Sequence, residues 1–161
     1  MTKKAVPISG KEKKELIRQL KGIIPSIDSI LTKKAMVTKY LVPEGEIYTL
    51  EQTPILLRVK GYLIPSLKLV QKVETKLPKV KVDTGAIRFV TNGADVMRPG
   101  ITWIDSEVVE NEPVLIVEET KESPLAIGIA KFDAVDMNAM ENGKVIRTIH
   151  HLTDKFWSFV P

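Results

Sequence analysis

Two histidines, His150 and His151, and no cysteine are what this chain offers for nucleophilic or metal chemistry. Neighbouring residues of an extended segment point to opposite faces, so the pair cannot converge on one ion, and no thiolate is present to complete a tetrahedral site. One packed and one exposed histidine are expected. A serine hydrolase would need a hydroxyl held beside a base, and no Gly-x-Ser-x-Gly elbow occurs to present one. Asp83-Thr84-Gly85 has neither a Gly-x-x-x-x-Gly-Lys loop around it nor a Gly-x-Gly-x-x-Gly run after any strand, so nucleotide hydrolysis is unsupported. The acidic run Glu118-Glu119-Thr120-Lys121-Glu122 reads as a solvated hairpin loop rather than a divalent-cation site. No enzyme, no metal and no cofactor is the resulting expectation.

Backbone chemistry remains. Where a strand passes into a helix at Gly85, amide N–H groups are exposed that can donate to phosphate oxygens. Gly100, after Arg98-Pro99, offers a second point of close approach, with Arg88 and Arg98 as phosphate ligands. Turn geometry alone explains either glycine taken singly. Both together, beside arginines, point to RNA. The reading requires the two stretches to lie side by side and open to solvent.

Several elements must position these residues. Ser9-Gly10-Lys11-Glu12 fits a capping box, Ser9 as N-cap and Glu12 reaching back, and opens a helix with apolar Leu16, Ile17, Leu20 and Ile24 that ends at Gly22 before Pro25. Lys13, Lys14, Arg18 and Lys21 fall mainly on its other face. A short helix follows from Pro25 to about Leu31. Met36–Val42 and Glu46–Leu50 form a hairpin around Pro43-Glu44-Gly45, and Ile55–Val59 is a third strand broken by Gly61. Pro65–Val70 then suggests a helix entered through proline. In the second half Val80–Val82 is a strand, Asp83 caps a helix from Gly85 to about Thr91, and Asn92-Gly93 supplies a left-handed exit. Short strands at Ala94–Met97, Ile101–Ile104, Pro113–Val117, Leu125–Phe132 and Lys144–His150, with one helical turn from Asp133 through Met140, give the pattern of a small barrel. Tyr62, Trp103, Phe156 and Trp157 are assigned to core or rim, with stacking on a base as the alternative. No internal repeat is found.

Composition agrees with a packed chain. The 161 residues are 43% hydrophobic and 27% charged, which predicts one or two compact domains. No apolar run approaches the roughly 20 residues of a spanning helix, and Lys3-Lys4 is followed by too short an apolar stretch for a secretory signal, so a cytoplasmic protein without a membrane partner is expected. Charge is unevenly spread: +7 over residues 1–75 against −3 over 76–161. The first half can therefore meet a polyanion, while the second must rely on local patches. Glu74–Lys79, with Pro78, marks the junction.

The stretch Val82-Asp-Thr-Gly-Ala-Ile-Arg-Phe-Val-Thr-Asn-Gly-Ala-Asp-Val-Met-Arg-Pro-Gly-Ile101 resembles the signature of the PUA domain, the RNA-binding module of pseudouridine synthases and archaeosine transglycosylases. Gly143–Trp157 is similar to its closing strand. Ahead of it, Tyr62–Val70 and the helix-rich start are similar to the pre-PUA domain of the malignant T-cell-amplified sequence family, whose arrangement ligatin shares. The resemblance implies an α+β fold: a pre-PUA α+β domain over residues 1–76, then a small mixed β-barrel, the PUA pseudo-barrel with short helices, over 77–161. It implies an RNA face made of Thr84, Gly85, Ala86 and Arg88 with Arg98, Pro99, Gly100 and Ile101, flanked by Lys144 and Lys155. Lys13, Lys14, Arg18 and Lys21 would add nonspecific contacts to ribosomal RNA. No catalytic domain of a modification enzyme fits in the remaining 76 residues. The implied role is a stand-alone RNA-binding protein of the translation apparatus, taking tRNA or rRNA on the small ribosomal subunit. The alternatives are an adaptor for a SUI-type protein partner and an accessory subunit presenting RNA to a modifying enzyme.

Overall fold

The computed structural model describes residues 4–161, so the Lys3 end of the stretch weighed as a signal lies outside the described residues. The chain divides after Lys76. One unit takes the residues up to Lys76 together with Phe156–Pro161, and the other takes Leu77–Lys155. The last six residues thus group with the first unit, so the second is shorter at its end than the 77–161 span the resemblance implies. Their side chains explain it: Phe156 and Phe159 are buried in the first unit, Phe159 lies 5.1 Å from the Tyr40 ring, and Lys68 Nζ sits 5.1 Å over Trp157.

In the first unit five strands form an antiparallel meander: β1 (Lys4–Pro7), β2 (Val37–Val42), β3 (Gly45–Leu50), β4 (Thr53–Val59) and β5 (Tyr62–Pro65). Helices α1 (Gly10–Leu20) and α2 (Ile27–Ile30), with the turns that follow them, bury Leu16, Leu20, Ile24, Ile27 and Leu31 against Val37, Tyr48, Ile55 and Leu56 of the sheet. Each such side chain contributes roughly 1.5–3 kcal/mol of transfer free energy, which fixes the helices more firmly than their short lengths could. Ser9 caps α1 by accepting from the Glu12 amide at 3.1 Å. The reciprocal arm of the expected capping box is not made, because the Glu12 carboxylate accepts instead from Lys39 Nζ of β2 at 2.9 Å. Helix α3 (Leu67–Val70) is capped by Ser66, whose hydroxyl accepts from the Leu69 amide.

The second unit holds six strands: β6 (Lys79–Val82), β7 (Val96–Met97), β8 (Ile101–Ile104), β9 (Pro113–Glu118), β10 (Pro124–Ala130) and β11 (Lys144–His151). Their lateral order is β7-β11-β10-β9-β6-β8, with β6 and β9 parallel and every other pair antiparallel. Strands β7 and β8 occupy opposite ends of that order, yet only Arg98–Gly100 separates them in sequence. Three residues cannot span a flat sheet, so the sheet curls into a nearly closed barrel. Helices α4 (Ile87–Val90) and α5 (Ala134–Ala139) complete the unit, and Val80, Val82, Val96, Ile116, Met137 and Ile146 fill its core. The fold is α+β, with a small mixed barrel and short helices in its second part.

Candidate nucleic-acid interface

Strand β6 runs directly into the segment of interest. Asp83 ends the strand, and residues Thr84–Ala86 form one 3-10 turn that leads into α4. The helix stops because Gly93, at φ +92°, takes the left-handed conformation that closes a Schellman motif, its amide donating to the Val90 carbonyl and the Ala94 amide to the Phe89 carbonyl. A side chain there would also strike His151 Nε2, 2.9 Å from an added Cβ. The reversal sends Ala94–Met97 back past α4, and the Arg98–Gly100 turn folds under it.

The Gly85 and Gly100 stretches lie side by side. The Asp83 amide donates to the Gly100 carbonyl at 2.9 Å, and a methyl added to Gly100 would sit 3.4 Å from Ala86 Cβ. Between α4 and the returning segment opens a groove of about 470 Å³, lined by Ala86, Phe89, Val90, Ala94, Asp95, Val96, Met97, Gly100 and Lys144. Its walls are chiefly apolar. Phe89 and Met97 remain 54% and 47% exposed at its mouth, a large apolar surface to leave in water. Lys144, from the start of β11, pairs with Asp95 at 3.8 Å, and Asp95 is itself fixed by accepting from the Thr148 amide. A larger hollow of about 610 Å³ lies in the first unit, but none of the expected site residues lines it.

Among the expected site residues the structure separates several roles. Ala86, Gly100 and Lys144 line the groove. Thr84 and Gly85 are exposed on the turn beside it, and Pro99 is exposed on the facing turn. Arg88 is exposed, its guanidinium carbon 4.7 Å from the Phe89 ring centre. Ile101 is a buried core residue. Arg98 turns inward: Nε donates to the Met137 carbonyl at 2.8 Å and Nη1 to the Ile101 carbonyl at 3.2 Å, so it ties α5 to the start of β8. The amide of Ala86 is likewise taken, by the Asp83 carboxylate at 2.9 Å. Lys155 lies beyond the end of β11 and does not line the groove.

Sequence reasoning passed over Phe89, Asp95 and Met97. The available signal was Arg88-Phe89, a cation beside an aromatic on a helix whose inward position belongs to Val90.

Of Lys13, Lys14, Arg18 and Lys21, three are committed within the first unit. Lys13 Nζ donates to the carbonyls of Thr32 and Ala35, at 2.9 and 2.6 Å. Arg18 pairs with Glu15, and Lys21 with Asp28 and the Pro25 carbonyl. The Arg18 hydrogen bond, helped by one from Gln19, holds the Glu15 carboxyl down to about 2. Lys14 is exposed.

Of the two histidines, His150 is 1% exposed with Nδ1 hydrogen-bonded to Asp154 at 2.8 Å, while His151 is half-buried. The acidic run after β9 folds on itself, the Glu118 carboxylate accepting from the amides of Thr120 and Lys121.

Known proteins bear on this arrangement in three ways. Residues 78–152 match the family model described as the PUA domain. Over 152 residues the chain is 35% identical to an uncharacterized protein of Methanocaldococcus jannaschii, covering 94% of each, and it is 32% identical to translation machinery-associated protein 20 of Schizosaccharomyces pombe, covering 92% of this chain and 85% of that one. Among solved structures, a hypothetical protein of Pyrococcus horikoshii superposes with a TM-score of 0.80 at 33% identity, covering 96% of this chain and 98% of the other. The protein therefore belongs to the PUA-domain family that includes translation machinery-associated protein 20 and the malignant T-cell-amplified sequence proteins.

Proposed function

We propose that the protein binds RNA through the groove between α4 and the Ala94–Gly100 segment, holding a single-stranded end of tRNA or rRNA on the small ribosomal subunit. The observation that carries this reading is the exposure of Phe89 and Met97 at the mouth of one groove, with Arg88 and Lys144 at its rim. Unstacked bases are recognised by stacking on flat or polarizable side chains, while cations nearby take the phosphates. Gly100 contributes by the side chain it lacks: the backbone of an incoming strand can approach where a methyl would begin to fill the floor. The exposed turn Thr84-Gly85 stands next to this floor and belongs to the same face. The +7 balance of residues 1–75 supports attraction to a polyanion, and the family's translation-machinery names support the assignment to tRNA or the ribosome. A SUI-type protein partner is compatible with this role.

The test is a fluorescence-anisotropy titration of labelled tRNA, intact and with its 3′-terminal nucleotides removed, at fixed salt. Intact tRNA is expected to bind more tightly than the trimmed form. Phe89→Ala should weaken intact tRNA roughly tenfold and the trimmed form little, since stacking on one aromatic contributes about 1–3 kcal/mol. Equal affinities for both forms, unaffected by the substitution, would remove the groove from RNA binding. Copurification with the small subunit from cells tests the ribosomal part separately.

A further inference from the structure

Trp103 is the other large aromatic of the barrel left in water, 46% exposed on β8. That strand begins one residue after Gly100, so the indole is anchored about 10 Å along the chain from the groove floor, at roughly 3.3 Å per residue. Directly opposite, in register, stands Lys81 of β6, whose Nζ lies 5.0 Å from the indole centre. Lys79 follows on the same face of β6, since alternate strand residues share a face and Val80 and Val82 are buried. One carboxylate, Glu122 from the β9–β10 loop, spans both lysines at 3.5 and 3.9 Å.

The geometry points to Trp103 and Lys81 as a second nucleotide subsite, continuous with the groove: the indole stacks the base that follows the one held at Phe89 and Met97, and Lys81 and Lys79 take the intervening phosphates. This deepens the reading of the groove and rests on it. Lysine stems are flexible, so an arriving base displaces Nζ from the ring toward phosphate. Glu122 competes with that phosphate for both ammonium groups and acts as the site's internal placeholder.

RNA fits this surface better than a protein does. Lys81 stands against the indole, and the side chains linked to it, Glu122 and through Glu122 Lys79, are charged, unlike the apolar centre that a protein interface buries. An isolated aromatic set among lysines is instead the arrangement that stacks single-stranded nucleic acid without reading its sequence.

The test uses the full chain and a labelled single-stranded oligoribonucleotide decamer. The protein has two tryptophans, Trp103 and Trp157, and Trp157 lies under Lys68 in the other unit. Decamer binding is expected to quench indole emission in Trp157→Phe and to leave it unchanged in Trp103→Phe. Trp103→Ala should weaken the decamer roughly fivefold to tenfold with an unchanged melting temperature, and Glu122→Gln should tighten it about twofold at low salt, with a steeper salt dependence. If Phe89→Ala weakens the decamer while Trp103→Ala and Glu122→Gln do not change it and no quenching occurs, the subsite is wrong and the groove stands. If the decamer binds with no response to Phe89→Ala or to Trp103→Ala, both readings fall.

Discussion

The two units place positive charge differently. The first carries the larger excess of lysine and arginine, yet Lys13, Arg18, Lys21 and Lys39 spend their ammonium and guanidinium groups on carbonyls and carboxylates of the same unit. Residues 76–161 are net negative, yet within them lie an open groove with two exposed apolar side chains at its mouth and a lysine at its rim. Net charge thus measures long-range attraction, while a ligand's seat is set by where apolar side chains are left open beside a cation, here Lys144, whose pair with Asp95 is largely exposed. The same contrast appears within one motif. Arg88 and Arg98 stand ten residues apart around the same groove, and only Arg88 faces solvent with its side chain against an aromatic.

Breaking the Arg98 staple should have the largest effect. Arg98→Ala removes two hydrogen bonds from a charged donor and leaves the Met137 carbonyl to the Met140 amide. Hydrogen bonds to charged groups contribute about 1.5–3 kcal/mol each, and the partial exposure of this side chain discounts the sum to about 2 kcal/mol. A fall in melting temperature of roughly 5 °C is expected by calorimetry. An unchanged melt would return Arg98 to the phosphate-binding role that its place in the Arg-Pro-Gly motif implies.

Arg88→Glu comes next and should separate cleanly from it. The side chain is exposed, so stability should stay within about 0.5 kcal/mol, while affinity for single-stranded RNA drops severalfold because one rim charge is reversed beside Phe89. The measurement is RNA titration alongside a thermal melt. A variant that melts early and binds normally would invert the roles assigned to the two arginines.

How far the sequence carried can be judged at particular residues. Caps and barrel strands were legible because Ser9, Asp83 and Asn92-Gly93 each announce a local geometry that the fold keeps, and because the strands alternate or run fully apolar. Strand β5 was missed because Gly61 reads as a breaker, whereas Lys60 and Gly61, at φ +51° and +85°, make the two-residue turn of a hairpin. The Glu51-Gln52 turn gave no signal at all, since both residues adopt positive φ without a glycine or asparagine. At the groove, Gly100 does lie against Ala86, but side-chain direction was hidden. That Arg98 would turn inward depends on the Met137 carbonyl 39 residues away, a long-range fact that no local spacing encodes.

The smallest expected effect tests whether the cations of α1 are truly occupied. Glu15→Gln keeps the helix former but removes the charge that holds Arg18, leaving an exposed guanidinium one turn from Lys14. If the α1 face meets RNA, affinity should rise by less than about twofold at low salt and lose that gain as salt increases, because exposed charges are screened within roughly 10 Å at 0.1 M. If the groove acts alone, nothing changes at any salt. Glu15 also supplies an independent check on the pair. Its carboxyl is held at about 2, below the ordinary 4.5, chiefly by the Arg18 hydrogen bond, so the pair's contribution to stability is present above pH 4.5 and is lost as pH falls toward 2. Melts of the parent and of Glu15→Gln should therefore converge across that window, and curves that stay parallel down to pH 2 would mean that Arg18 is not held in solution and is available to a polyanion after all.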